Sequence, residues 1–154
     1  MVSSTAVMET QFTEQFREIL RSENDGALRK LREKAFAAFA ELGFPAVKSE
    51  DWKYTNVAPI AKENWKVMPF SPDFSPEGEK SGEKLAAFNY RRNGFTALNL
   101  AFADLKVIRI AKDTSVAEPV ELSFAAEDGS VIFPHILVIA EAGSKATIVE
   151  TYAN

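Results

Sequence analysis

The run Val131-Ile132-Phe133-Pro134-His135-Ile136-Leu137-Val138-Ile139-Ala140 and its sequel Ala146-Thr147-Ile148-Val149-Glu150-Thr151-Tyr152 decide how this 154-residue chain folds. Both are short and rich in β-branched and aromatic residues, and Ala142-Gly143-Ser144 parts them, which is how strands and their connections read. Working backwards, residues 105–110 and 116–124 have the same character, and residues 95–102 are read with them as a further β-like run. Asp113-Thr114-Ser115 and Asp128-Gly129 punctuate the series. Val116, Val120, Leu122 and Phe124 fall on one face together with Glu118, the period of two that a half-buried strand requires. The spacing suits a sandwich, a barrel or a β-solenoid equally well, and no strict repeat is visible.

Upstream the period changes. Phe12, Phe16, Ile19 and Leu20, then Leu28, Leu31, Ala35, Phe39 and Leu42, recur at helical spacing and predict two amphipathic helices. Asn24 or Asp25 can cap the second by accepting orphan backbone N–H bonds. Gly43 can take the left-handed conformation that ends it, and Pro45 blocks continuation. Ser49-Glu50-Asp51-Trp52-Lys53-Tyr54-Thr55 follows as a short turn packed through its aromatics. Residues 69–84 hold three of the seven prolines, two glycines and three serines with hardly any apolar periodicity, and read as a flexible linker. The expected class is therefore α+β: a helical domain over residues 1–68, a linker and connection over 69–94, and a β-rich part over 95–154.

Composition narrows the function. Hydrophobic residues at 46% and charged residues at 26% belong to a globular chain with a core, which excludes wholesale disorder. The net charge of −4 offers no basic field for a polyphosphate backbone, so nucleic acid is not an expected partner. The longest apolar runs, residues 35–40 and 136–140, fall far short of the roughly 18 residues a bilayer needs. The first nine residues lack the basic start of a secretory signal. The expectation is a cytoplasmic protein without membrane contact. Zero Cys removes disulfides, thiolate nucleophiles and sulfur-held metals, and His135 is the single imidazole.

The remaining candidates for chemistry each have a plainer reading. His135 sits in an apolar run with no serine or acid partner nearby in sequence, as an edge or core histidine would. Residues 78–84 look like a phosphate-binding loop only superficially: the glycines are four apart, and Glu83 stands where the lysine is required. Glu50 and Asp51 could form an acid and base pair, but adjacent side chains on a turn diverge, and Lys48 and Lys53 flank them as on a solvated surface. Trp52, Tyr54 and Trp65 could stack on a sugar or base, or simply anchor packing.

Phe44-Pro45-Ala46-Val47-Lys48-Ser49-Glu50-Asp51-Trp52-Lys53-Tyr54-Thr55 closely resembles the signature near the start of proteins of the SufB/SufD family, on its SufD side, which serve the SUF system of iron–sulfur cluster assembly. Residues 95–102 are similar to the segment that opens that family's β-helical core, and residues 134–152 to one of its rungs. The chain departs from the family at Asp104-Leu105, where Asp-Gly is common, and at His135, where an arginine often follows the proline. The resemblance implies a small N-terminal helical domain followed by the first rungs of a right-handed parallel β-helix. It implies a non-catalytic scaffold whose partners are SufB and the ATPase SufC. No catalytic, cofactor-binding or metal residue is carried over, and Trp52, Lys53 and Tyr54 are read as structural. Family members run to several hundred residues, so the chain is expected to be an N-terminal portion, with an open β edge through which it self-associates. The rival readings are a free-standing β-rich ligand-binding module using Trp52 and Trp65, and an acid/base enzyme built on Glu50, Asp51 and His135.

Overall fold

The computed structural model describes residues 10–68, 85 and 87–153; the stretch 69–84, expected as a linker, lies outside them. The helical periodicity becomes α1 (Thr13–Ser22) and α2 (Gly26–Leu42). Of the two candidate caps, Asp25 is the one used: its carboxylate accepts from the backbone N–H groups of Ala27 and Leu28 at 2.8 and 3.1 Å. Gly43, at φ 62°, ends α2 and donates its N–H to the Phe39 carbonyl. A single 3₁₀ turn (Glu50–Trp52) and a short α3 (Ala58–Lys62) follow.

One element departs from expectation. Residues 95–102, read as a β-like run, lie in a helix, α4 (Gly94–Phe102). Its start is fixed by a reciprocal pair: the Asn93 side chain accepts from the Thr96 N–H at 3.0 Å, and the Thr96 hydroxyl accepts from the Asn93 N–H at 3.1 Å. Ala97, Leu98, Leu100, Ala101 and Phe102 are all buried, and Thr96 and Asn99 alone, both partly buried, are too few polar positions to betray a helical period.

These helices enclose an aromatic core. Phe16 stacks on Phe36 at 4.1 Å between centroids, and Phe102 meets Phe12, Phe16 and Phe36 at 5.7–6.2 Å in edge-on geometry. Each buried ring of this kind contributes about 1.5–3 kcal/mol by burial alone. A buried cation ties the helix ends together: Arg32 donates through Nε to Glu23 at 3.1 Å and through Nη1 to the Ala101 carbonyl at 3.0 Å. The second bond satisfies a carbonyl in the last turn of α4 that has no partner further along the helix.

Among the described residues the strands are β1 (Lys66–Val67), β2 (Asp104–Ile110), β3 (Val120–Ala125), β4 (Ser130–Val131), β5 (Pro134–Ala140) and β6 (Ile148–Ala153). They form three parallel pairs, β1 with β4, β2 with β5, and β3 with β6. Asp104 faces Pro134 and Val120 faces Ile148, so the chain from β4 to β6 retraces the chain from β1 to β3. The run expected at residues 131–140 is divided in two, because Pro134 lacks an N–H and opens a new strand. Ile108, Ile110, Leu122 and Phe124 form the strand core, with Val116, Val120, Ile132, Ile136 and Ile148 packed against it. The face shared by Val116, Val120, Leu122 and Phe124 is thus the inner one.

Three turns in this part share one construction. Thr114, Ser130 and Ser144 each return an N–H to the carbonyl three residues earlier, and Asp113, Gly129 and Gly143 take φ values of 57°, 72° and 72° just before them. Positive φ at the third position is the mark of a type II turn. Two of the three read Glu-x-Gly-Ser, at residues 127–130 and 141–144, and in both the serine hydroxyl donates to the glutamate carbonyl at 2.6 Å.

The described residues divide into two units, one of residues 10–65, 85 and 87–102, the other of 66–68 and 103–153. Between β4 and β5 the chain spends only Ile132 and Phe133. Between the equivalent β1 and β2 it makes an excursion that includes α4.

Candidate functional site

A cleft of about 350 Å³ in the helical unit collects the charged motif residues found by sequence. Three segments build it: the end of α2 with Leu42, Gly43 and Pro45, the 3₁₀ turn with Ser49, Glu50, Asp51 and Trp52, and the approach to α4 with Arg92, Asn93 and Gly94. The chain can bring these segments together because Gly94 has no side chain. A Cβ there would stand 1.8 Å from the Gly43 carbonyl oxygen.

Trp52 is half-buried and held from behind. Its ring meets Phe95 at 5.3 Å, Phe95 meets Phe44 at 5.3 Å, and Phe44 meets Phe39, which belongs to the aromatic core. The ring at the cleft is therefore pinned through a relay of aromatics. Ser49, Trp52 and Thr55 are fixed by backbone bonds to Ala46, Ser49 and Trp52 in turn.

The charges here are less constrained. Glu50, Asp51 and Arg92 are all exposed. Neighbouring Arg91 instead pairs with Glu41 at 2.7 Å, and the bond and the charge of Glu41 push its guanidinium pKa up. No basic residue lies in the last turn of α2, whose carbonyl dipoles carry partial negative charge into the same region. Asn93 lines the cleft but spends its side-chain oxygen on Thr96.

The other candidates lie elsewhere. Tyr54 is 91% exposed with Lys53 Nζ 5.4 Å from its ring centre. Trp65 is half-buried, and its indole donates to the Ile60 carbonyl at 2.8 Å. Gln11 and Gln15 on the α1 side grip its backbone, one accepting from its N–H at 3.1 Å and one donating to its carbonyl at 2.9 Å. Trp65 does not line the cleft, so Trp52 and Trp65 do not form one platform there. A second cleft of about 280 Å³, lined by Thr10, Phe39, Phe44 and Ala61 among others, contains neither tryptophan.

His135 belongs to the strand unit, on β5 opposite Leu105, and burial pushes its imidazole pKa down. It is not part of the cleft, and the proposed constellation of Glu50, Asp51 and His135 does not assemble there. Among the described residues no three His, Cys, Asp or Glu side chains are grouped to hold a metal ion. No described helix is long and apolar enough to cross a membrane. Sequence reasoning missed Arg92 and Asn93, which enter the cleft only through the excursion that brings α4 against α2; the Asn-x-x-Thr spacing was the available signal.

Comparison with family models matches residues 6–81 to the SufBD protein N-terminal region. No curated protein and no solved structure matches the chain.

Proposed function

Residues 6–81 belong to the N-terminal region of the SufB/SufD family, and from that premise we propose that the chain serves iron–sulfur cluster assembly as a non-catalytic, SufD-like scaffold. The family match carries the reading. The cluster is cargo in such a system, and this chain, with zero Cys, has no thiolate of its own to offer it. What it contributes is surface. Its partners in this reading are SufB and SufC, its place is the cytoplasm, and it runs no reaction itself.

The strand unit is read as the opening of a right-handed parallel β-helix. Three parallel pairs in which one circuit retraces another, joined by turns of one design, support this, and right-handed crossing is the rule for parallel connections. Val138, Val149 and Tyr152 on its last two strands are 42–64% exposed, which supports self-association through that edge. Light scattering across a concentration series, on this chain and on Ile148→Lys, checks it: a monomer at all concentrations rejects it.

The functional test is co-elution. The chain, mixed with purified SufB and SufC, is expected to leave a sizing column with at least one of them. Separate elution of all three at micromolar concentration overturns the scaffold reading.

A further inference from the structure

The sequence has three places where an Asp or Asn precedes glycine: Asp25-Gly26, Asn93-Gly94 and Asp128-Gly129. At such pairs the glycine nitrogen, with no side chain to shield it, can attack the neighbouring side-chain carbonyl carbon. The fold treats the three differently. The Asp25 carboxylate is held by the N–H groups of Ala27 and Leu28 at the start of α2. The Asn93 side-chain oxygen is held by the Thr96 N–H, and Gly94 is buried beside the Gly43 carbonyl. Asp128-Gly129 has neither protection. Both residues are exposed, an added Cβ on Gly129 would meet nothing within 4 Å, and among the described residues neither the Asp128 carboxylate nor the Gly129 N–H has a hydrogen-bond partner.

We infer that Asp128 is a modification site of the folded chain, the one of the three at which isoaspartate forms. The Gly129 nitrogen bonds to the carbon of the protonated Asp128 side-chain carboxyl, the bond from that carbon to its hydroxyl breaks, the nitrogen gives up its proton, and one water departs. The five-membered imide then takes up one water at either carbonyl, so the final mass is unchanged. Opening at the main-chain carbonyl routes the backbone through the side-chain carboxyl and adds one methylene to it. Residues 127–130 form a type II turn, and exchange with type I rotates the 128–129 peptide while the Ser130 N–H stays on the Glu127 carbonyl. The rotation that swings the Gly129 nitrogen past the carboxyl therefore gives up no bond of the turn. The product does disturb its neighbour: the Gly129 carbonyl accepts from the Lys66 N–H at 3.1 Å, so a lengthened turn loosens β1.

The test incubates the whole chain at neutral pH, folded and in guanidinium chloride, and digests samples with a protease that cleaves before aspartate but not before isoaspartate. In the folded chain, loss of cleavage before Asp128 without change of mass is expected to run at least about tenfold faster than loss before Asp25, the worth of one charge-assisted hydrogen bond at the cap. In guanidinium the two are expected to fall together. An isoaspartyl methyltransferase with labelled S-adenosylmethionine is expected to mark the aged folded chain and not Asp128→Glu, whose longer side chain cannot close a five-membered ring. Asp128 is exposed, so the variant keeps the fold, which circular dichroism verifies. The Lys66 amide should exchange faster in the aged chain, and unchanged exchange overturns the link to β1. Cleavage before Asp128 that persists in the folded chain, or equal loss at Asp25 and Asp128 there, overturns the inference.

Discussion

Gly26 and Gly94 are the first residues of α2 and α4, and replacing each by alanine separates helix propensity from space. At Gly26 an added Cβ meets nothing within 4 Å. Alanine there gains intrinsic helix preference and restricts the unfolded chain, for an expected stabilisation of about 0.5 to 1 kcal/mol. At Gly94 the same Cβ would lie 1.8 Å from the Gly43 carbonyl oxygen and 2.8 Å from its carbon, and these are backbone atoms that cannot rotate aside. The end of α2 and the start of α4 must part by more than 1 Å to relieve that contact, since real Cβ atoms essentially never approach closer than 3.0 Å. Overpacking against a well-fitted neighbour costs about 1–3 kcal/mol, and a rigid backbone contact belongs at the upper end. The propensity gain offsets up to about 1 kcal/mol, leaving a net loss of about 2 kcal/mol. Urea unfolding followed by helical ellipticity and tryptophan emission measures both variants. A fall in midpoint for Gly94→Ala beside an unchanged or raised midpoint for Gly26→Ala is expected. Movement of both in the same direction would refute the close approach of the two helix ends.

Arg32→Met strands the Glu23 carboxylate and the Ala101 carbonyl, so thermal melting should show a loss of about 3 kcal/mol, and adding Glu23→Gln should recover part of it. In the strand unit, a Cβ at Gly143 would come within 2.3 Å of the Asp113 carboxylate while the backbone stays at φ 72°; Gly143→Ala should therefore cost about 1–2 kcal/mol, less in an Asp113→Gly background. Asp113→Gly alone should stabilise the protein slightly in the same urea assay, because Asp113 holds a positive φ that glycine adopts freely. Burial lowers the folded-state pKa of His135 below its ordinary 6.5, so the unfolded chain takes the proton first as pH falls; stability from this group is complete above pH 6.5 and declines below it. Melting temperatures between pH 7.5 and 5.5 should fall less steeply in His135→Gln than in the parent chain, and parallel slopes would show that the imidazole is not responsible.

The sequence made some elements legible because local chemistry decided them. Asp25 and Gly43 bracket α2 with side-chain and backbone bonds that neither end shares with the rest of the fold. The inner face of β3 was readable because Leu122 and Phe124 alternate with exposed Glu121 and Ser123. The helix α4 was not readable as such: a buried helix nine residues long has the same apolar profile as a strand, and only its Asn93–Thr96 cap marks it. The three turns were legible from their Asp, Gly and Ser residues, but their common construction was not, because Ala111-Lys112-Asp113-Thr114 shares the geometry of Glu-x-Gly-Ser without sharing its residues. For the cleft, Glu50, Asp51 and Trp52 stand together in sequence, whereas Arg92 reaches them only through tertiary structure.

The pairing of Lys66 with Ser130 bears on the order in which the chain assembles. β2 and β5 close a loop from Asp104 to Pro134, but β1 and β4 must close one about twice as long, with only two residue pairs in return. Doubling a loop adds only about 0.6 kcal/mol of closure entropy, so the docked strand is tolerated at equilibrium while its formation is delayed. The strand that comes first in the polypeptide thus has the longest loop to close. A nascent chain emerging from the ribosome can complete its aromatic core as soon as Phe102 is free, yet Lys66 and Val67 have to wait for Val131 before their backbone bonds find a partner.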